Sequence, residues 1–343
     1  MARVGVVSYR LGGVDGVSVE AAKWVGALSA LGHEVTTVAG EGTAEHLVEG
    51  LSHRDSGPVD ETALALALEG CDLVVVENLA SLPLNPRAVE ATYRALSGRA
   101  ALLRHHDLPW QRPGGAGAPA PRTGTLWRHV TINERSRVEL AARGVVATTL
   151  YNAFDLDPVP GERRATRARL GVGDERLVLM PSRAIPRKNV PGALALCAAL
   201  GATLWILGPA EDGYEGELAR LVETSAAPVI QGRPDGVGVV DAYAAGDLVV
   251  VASTWEGFGN PVLESVAHRR PLAVYPYPVL EEITATGLTF LDLSDVEGVL
   301  AELDAPDLAR REANLAHARA HFDLADLPRR LAPLVEDLLA GSR

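Results

Sequence analysis

The sequence predicts an α/β chain of two doubly wound domains, each a parallel sheet covered by helices. Two observations carry this. Apolar β-branched runs alternate with helical stretches twice over, first from Arg3 to Leu150 and again from Leu177 to Tyr275, and such alternation gives parallel sheets with helices on their faces. Between the two series stands Asp157-Pro158-Val159-Pro160-Gly161, a cluster of turn formers suited to a linker. The 343 residues, 47% hydrophobic and 22% charged, suffice for two cores of ordinary size.

In the first series, Arg3 to Ser8 reads as a strand, Gly16 to Leu31 as an amphipathic helix and Glu34 to Ala39 as a second strand, which makes one βαβ unit. Further strands are expected at Asp72 to Val76, Ala100 to Arg104, Val130 to Asn133 and Val145 to Leu150. Helices are expected at Arg87 to Leu96 and Arg135 to Arg143. Ligands of such sheets bind beyond the carboxyl ends of the strands. Those ends carry Gly12-Gly13, Glu77-Asn78, Arg104-His105-His106-Asp107 and Asn133-Glu134.

The first loop invites a dinucleotide reading, with Glu41 in the place of a ribose acid. However, Gly12-Gly13-x-x-Gly16 lacks the Gly-x-Gly-x-x-Gly spacing and Glu41 stands among turn formers. Lys23 is expected on an exposed helix face. The run Pro113-Gly114-Gly115-Ala116-Gly117-Ala118-Pro119-Ala120-Pro121 is too rich in Gly and Pro for an element and reads as a flap or a plain insertion.

The second series places strands at Leu177 to Pro181, Thr203 to Leu207, Pro228 to Gln231, Asp247 to Ala252 and Leu272 to Tyr275. Helices fall at Pro191 to Leu200, Gly216 to Thr224, Val239 to Ala245 and Val262 to His268. Closing helices are expected at Ala313 to Phe322 and Ala325 to Leu339. The stretch Ser253-Thr254-Trp255-Glu256-Gly257-Phe258-Gly259-Asn260-Pro261-Val262-Leu263-Glu264 joins a strand to a helix through a glycine turn. Glycines permit a close backbone approach, Pro261 suits a first helical turn, and the free N–H groups of that turn form an anion site. Glu256 and Glu264 bracket it and are natural acceptors for sugar and ribose hydroxyls.

This Glu-x7-Glu arrangement, with Gly-Phe-Gly-Asn-Pro inside it, resembles the signature of retaining glycosyltransferases of family 4. The resemblance implies the GT-B fold: two Rossmann-like domains facing a central cleft, with the last helix crossing back to the first domain. On that basis the expected domains are 1–157 together with 325–343, which shapes the acceptor site, and 165–322, which binds the nucleotide sugar. Ser182-Arg183-Ala184-Ile185-Pro186-Arg187-Lys188-Asn189 is similar to the family's Arg-x4-Lys loop. The resemblance implies that Arg183 and Lys188 hold the donor diphosphate, whose charge grows as the sugar bond breaks. Arg187 is expected to point outward, and Asn189 replaces a family glycine.

The resemblance further implies that Glu264 holds ribose and Glu256 sugar hydroxyls, and that the amides from Gly257 through Phe258 and Gly259 to Asn260 hold phosphate or sugar. Gly12, Gly13 and Gly208 line the donor path. His106 lies near the transferred sugar, with His105 as the alternative, and Asn78, His105 and Asn133 are on the acceptor side. Asn152-Ala153-Phe154-Asp155 is similar to the family's domain-ending Asn-x-x-Asp. Asp155-Leu156-Asp157 spells the Asp-x-Asp of metal-dependent transferases of the other major fold, but its place in an interdomain connection argues against a metal role.

The implied reaction moves a hexosyl group from a nucleotide-diphosphate sugar to an acceptor hydroxyl with retention, with neither metal nor cofactor. A small soluble acceptor is favoured over a lipid. Rival readings are a sugar-nucleotide epimerase, a phosphorylase holding pyridoxal phosphate on a lysine, and a non-catalytic nucleotide-sugar-binding protein. The net charge of −12 argues against nucleic-acid binding. The sequence contains no apolar run long enough to span a membrane and no leader profile, so a cytoplasmic protein is expected. Cys71 and Cys197 are read as reduced packing residues.

Overall fold

The computed structural model describes residues 1–13, 15–112 and 114–341. It divides into two compact units, Met1–Ala153 with Leu324–Arg343, and Phe154–Asp323. In the first unit the strands are β1 (Arg3–Leu11), β2 (Glu34–Gly42), β3 (His46–Leu47), β4 (Leu73–Glu77), β5 (Ala100–His105), β6 (Trp127–Thr131) and β7 (Ala147–Thr149). Among the described residues they form one sheet in the order β3-β2-β1-β4-β5-β6-β7, with every pairing parallel. The order reverses between β1 and β4. There the outgoing connections diverge to opposite faces and leave a crevice at the strand ends.

The unit's helices are α1 (Gly16–Ala30), α2 (Glu61–Ala67), α3 (Pro86–Ala95) and α4 (Glu134–Ala141). Each begins where a polar side chain replaces a missing backbone partner: Asp15 accepts from Ser18, Asp60 from Ala63, Asn85 from Arg87 and Ala88, and Asn133 from Ser136. One sheet face packs Val74, Val76, Leu103 and Leu64 with Tyr93, while the other packs Val4, Val6, Leu102 and Trp24. Val74 through Val76 and Ala101 through Leu103 are buried on both faces, which is why these runs are continuously apolar.

The second unit holds β8 (Leu177–Met180), β9 (Thr203–Ile206), β10 (Val229–Gln231), β11 (Leu248–Val251), β12 (Leu272–Val274) and β13 (Leu291–Asp292). They are parallel in the order β10-β9-β8-β11-β12-β13, and the reversal falls between β8 and β11. Around them lie α5 (Arg163–Leu170), α6 (Val190–Leu200), α7 (Glu215–Glu223), α8 (Val239–Ala245), α9 (Asn260–Ala267), α10 (Leu280–Thr284), α11 (Val296–Asp304) and α12 (Leu308–Phe322). The chain then makes a single 3-10 turn at Leu324–Asp326 and enters α13 (Leu327–Gly341). Leu327, Leu331, Val335 and Leu338 of α13 join the core of the first unit beside Trp24 and Leu28.

Several expectations are corrected. The second unit starts before residue 165, because α5 packs on α8 and Arg163 Nη1 donates to the Ala244 and Ala245 carbonyls. The segment 157–161 is not a free linker: Asp157 is paired with Arg269 and Arg319, and the Glu162 amide donates to Asp241. The strand expected from Val145 shrinks to Ala147–Thr149, since Val145 turns into a small cluster with Leu108 and Leu140. The next strand runs Trp127–Thr131 rather than to Asn133, whose side chain caps α4. Glu41 lies within β2, near Arg10, His53 and Arg54. Pro113 of the expected flap lies outside the described residues, as does Val14 in the first loop.

Candidate active site

In the second unit the reversal of strand order brings two loops together, one after β8 and one after β11. The amide of Thr254 donates to the Arg187 carbonyl (2.9 Å) and ties them. Lys188 Nζ is hydrogen-bonded to Glu256 Oε1, while Arg187 Nη1 donates to Glu256 Oε2 (2.9 Å) and to the Trp255 carbonyl (2.8 Å). Both Lys188 and Glu256 are buried. Burial acts to raise the pKa of Glu256, but Lys188 and then Arg187 outweigh it, and the carboxyl is held down to about 2. Burial pulls the Lys188 ammonium below the usual lysine range against the attraction of Glu256. Ser182, Ser253 and Pro261 line the same recess.

Arg187 therefore does not point outward as its spacing suggested; it is the second cation on Glu256. Arg183 is half-exposed and pairs instead with Glu211 across 2.6 Å. Its main chain abuts Gly208, where a Cβ would come within 2.8 Å of the Arg183 backbone, so the loops after β8 and β9 can approach this closely only without a side chain at 208. Asn189, standing where a glycine was expected, adopts φ of +50° and caps α6 by accepting from the Gly192 amide. Asparagine is one of the few side chains that tolerates this left-handed geometry, so the substitution preserves the turn.

The turn before α9 has Gly259 at φ +98°, and a Cβ there would lie 2.0 Å from Tyr277 Oη. Tyr277 in turn donates to the Phe258 carbonyl (2.9 Å). The Phe258 ring is buried, stacked on Phe154 and edge-on to Phe322, so only its backbone is placed to serve a ligand. Asn260 and Pro261 occupy the first turn of α9 and Gly257 precedes it. One helical turn further on, Glu264 Oε2 accepts from Tyr243 Oη (2.6 Å), and His268 stacks on that tyrosine. Burial and the neighbouring carboxylate push the Tyr243 phenol well above its usual range, which keeps it a donor.

The first unit gathers a second polar set at the ends of β4 and β5. Glu77 is fully buried and meets Arg104 Nη1 (3.2 Å) and His106 Nε2 (2.7 Å). Burial would raise its pKa, but Arg104 and His106 hold it below the usual carboxylate range. An ionised carboxylate only accepts, so Nε2 of His106 carries the hydrogen. Arg104 also meets Glu20 and Asn152 and lies over the Trp24 ring. Asn78, at φ +58°, accepts from the amides of His106 and Asp107 and so holds the loop rather than projecting from it.

His105 faces the other way. Its Nδ1 is 2.6 Å from Ser81 Oγ and its Nε2 2.9 Å from His129 Nδ1, all three residues being buried. Burial, followed by His129 and His106, holds it neutral. Lys23 is not a solvated surface residue either: it bridges Glu20 and the Ala153 carbonyl. Asn133 spends its side chain on the α4 amide of Ser136. Gly12, at φ +72°, and Gly13 form the turn after β1.

Sequence reasoning missed Arg187, Tyr243, Glu211 and the Ser81–His105–His129 chain. Only Arg187 carried a signal, standing beside Lys188 on a single turn of helix. Among the described residues no group of three or more His, Cys, Asp or Glu side chains is arranged to hold a metal ion.

Two parallel doubly wound α/β units are the architecture of the GT-B fold, and in the second a cation-bound glutamate precedes the glycine turn. Residues 177–317, within the second unit, match the family model described as Glycosyl transferases group 1, and the chain acts as a glycosyltransferase. The chain is similar to mannosylglucosylglycerate synthase of Thermotoga maritima, 26% identical with 85% of each chain covered. It is also similar to the synthase of the same name from Petrotoga mobilis, 23% identical with 81% of this chain and 83% of that one covered. Among solved structures, Anabaena HepE in complex with UDP-glucose superposes with a TM-score of 0.74 at 15% identity, covering 98% of this chain and all of that one. Sucrose-phosphate synthase from Thermosynechococcus elongatus does so with 0.75 at 16%, covering 99% and 100%. No helix among the described residues is long and apolar enough to cross a membrane.

Proposed function

We propose that the chain transfers a hexosyl group from a nucleotide-diphosphate sugar to a hydroxyl of a small soluble acceptor, with retention of anomeric configuration and without a metal. The observation that carries this reading is the pair Arg187 and Lys188 on Glu256, with Arg183 near Lys188, at the point where the strand order of the second sheet reverses. A departing nucleotide diphosphate gains negative charge, and fixed cations stabilise it without reorganising. Arg183 and Lys188 serve the diphosphate, the amides around Gly257 to Asn260 serve phosphate or sugar, and Glu264 serves the ribose. Glu256 orients the cations and offers its carboxylate to sugar hydroxyls.

In the first unit, His106 commits its Nε2–H to Glu77, so Nδ1 is the ring nitrogen left to meet a ligand. The donor class is supported by the structural similarity to a protein bound to UDP-glucose. A small glycoside acceptor is supported by relatives whose named product is mannosylglucosylglycerate. Retention is supported by the likeness of the Glu256–Glu264 stretch to the Glu-x7-Glu signature of retaining transferases; an inverting enzyme would instead need a base with proton-transfer geometry opposite the leaving group.

The test is a screen of nucleotide sugars against small hydroxylated acceptors, followed by NMR coupling constants across the new linkage. The expected product keeps the donor's configuration and forms at an undiminished rate in the presence of a chelator. An inverted product overturns the mechanism, and chelator-sensitive transfer overturns the metal-free clamp.

A further inference from the structure

Helix α9 starts at the glycine turn and carries the chain to the opposite edge of the second sheet. Arg269 and Arg270 follow it there, just before β12. At that edge a shallow recess, open to solvent, is lined by Arg269, Arg270, Arg310, Arg311, Glu302 and Asn314 over an apolar floor. Four guanidinium groups thus meet one carboxylate, in a chain whose net charge is −12.

The partners are unevenly shared. Glu302 is buried and serves Arg310 together with Arg311 (2.7 Å). Arg269 donates to the Leu156 and Ala267 carbonyls and pairs with Asp157. Asn314 is committed to the Thr289 backbone. The Arg270 amide donates to the Ser265 carbonyl (2.8 Å), but among the described residues its guanidinium has no acceptor, and its Nε is buried without a hydrogen bond. The charged groups that face it are Arg163, Arg311 and Asp247. Asp247 is itself held by Arg163 (2.5 Å), Arg167 (3.3 Å) and the Leu177 amide. A half-buried guanidinium whose charged neighbours are two cations and a carboxylate already shared by two other arginines costs stability unless a further anion joins it.

We propose that this recess binds a phosphate group, with Arg270 as its principal ligand and Arg311 as the second. A multiply charged tetrahedral oxyanion suits the site better than a carboxylate, because the cations approach from two elements, the loop after α9 and helix α12, rather than from one, and arginine forks match phosphate oxygens. The site lies at the amino ends of β12 and β13, whereas the donor residues lie at the carboxyl ends of β8 and β11.

The experiment uses the intact chain and inorganic phosphate, with chloride as the control at matched ionic strength, and reads the thermal midpoint. Phosphate should raise the midpoint of the parent progressively with concentration. The rise should vanish in Arg270→Gln and persist in Arg183→Gln, which alters only the donor loop. Without phosphate, Arg270→Gln should melt at or above the parent, because an uncompensated cation has been removed. An equal phosphate response in Arg270→Gln, its loss in Arg183→Gln, or no response in the parent would overturn the proposal. Sedimentation with phosphatidic-acid vesicles identifies the source: Arg270-dependent capture assigns the phosphate to a lipid headgroup, and a response to phosphate alone assigns it to a free solute.

Discussion

Glu264 and His129 show how a buried partner, or burial itself, sets what a side chain can do. Tyr243 holds Glu264 from below and fixes its carboxylate for a hydroxyl-bearing ligand. Glu264→Ala should weaken nucleotide-diphosphate binding by one to two decades, as expected from losing a charge-assisted hydrogen bond of about 1.5–3 kcal/mol. Tyr243→Phe keeps the carboxylate and loosens it, so a loss of severalfold is expected, in line with about 0.5–1.5 kcal/mol for an ordinary hydrogen bond. Calorimetric titration checks both, and unchanged affinity in Glu264→Ala removes the ribose role. His129 is different, because burial alone holds its pKa down to about 4. Between pH 6.5 and 4 the unfolded chain takes up a proton that the folded chain refuses, so stability falls as pH falls through that window. The slope is about 1.4 kcal/mol per pH unit from this group, or about 3 kcal/mol in all. His129→Asn should flatten the pH dependence of urea unfolding between pH 6.5 and 4.5, and an unaltered slope would exclude His129 as its origin. Glu256 acts in a separate window: its folded pKa is depressed, so the stability it contributes is present above about 4.5 and is lost as pH falls toward 2.

At the scale of elements, the turn into α9 is the most constrained connection. Gly259 combines a left-handed backbone with the Tyr277 hydroxyl where a Cβ would stand. Gly259→Ala should lower stability by at least about 1–3 kcal/mol, the range for a strained backbone, with further loss as Tyr277 is displaced. Thermal unfolding beside donor affinity checks this; a variant as stable as its parent would mean that the turn relaxes freely. This turn was legible in the sequence because glycine and proline spacing encodes local geometry directly. So were the long β-branched runs of β1, β4 and β11, since strands buried on both faces need continuous apolar residues. Short elements such as β3, β13 and α2 were not legible, because two to seven residues leave no periodicity to read and their existence depends on neighbours distant in sequence. The same reason explains Arg187 and His105. A loop's residue types are visible in a sequence, but which way each side chain turns is decided by Glu256 in one case and by Ser81 and His129 in the other.

For the molecule as a whole, the decisive feature is that the chain's last helix belongs to its first unit. Leu331 of α13 is fully buried in that core beside Trp24 and Leu28. Leu331→Ala should destabilise the protein by about 2–5 kcal/mol, the usual cost of deleting a buried leucine side chain, although the strands and the helix α1 of that core are remote from it in sequence. Denaturant unfolding checks this, and a change under about 1 kcal/mol would show that α13 covers the sheet without stabilising it. The same arrangement bears on how the polypeptide is made. As it leaves the ribosome, the first sheet must wait for the whole second unit before its covering helix exists. At about 5–20 residues per second, this delay is on the order of ten to thirty seconds. Throughout it, an apolar stripe including Trp24 and Leu28 lacks its cover, so the early chain is a natural client for a holding chaperone, and the emergence of α13 is the event that ends its exposure.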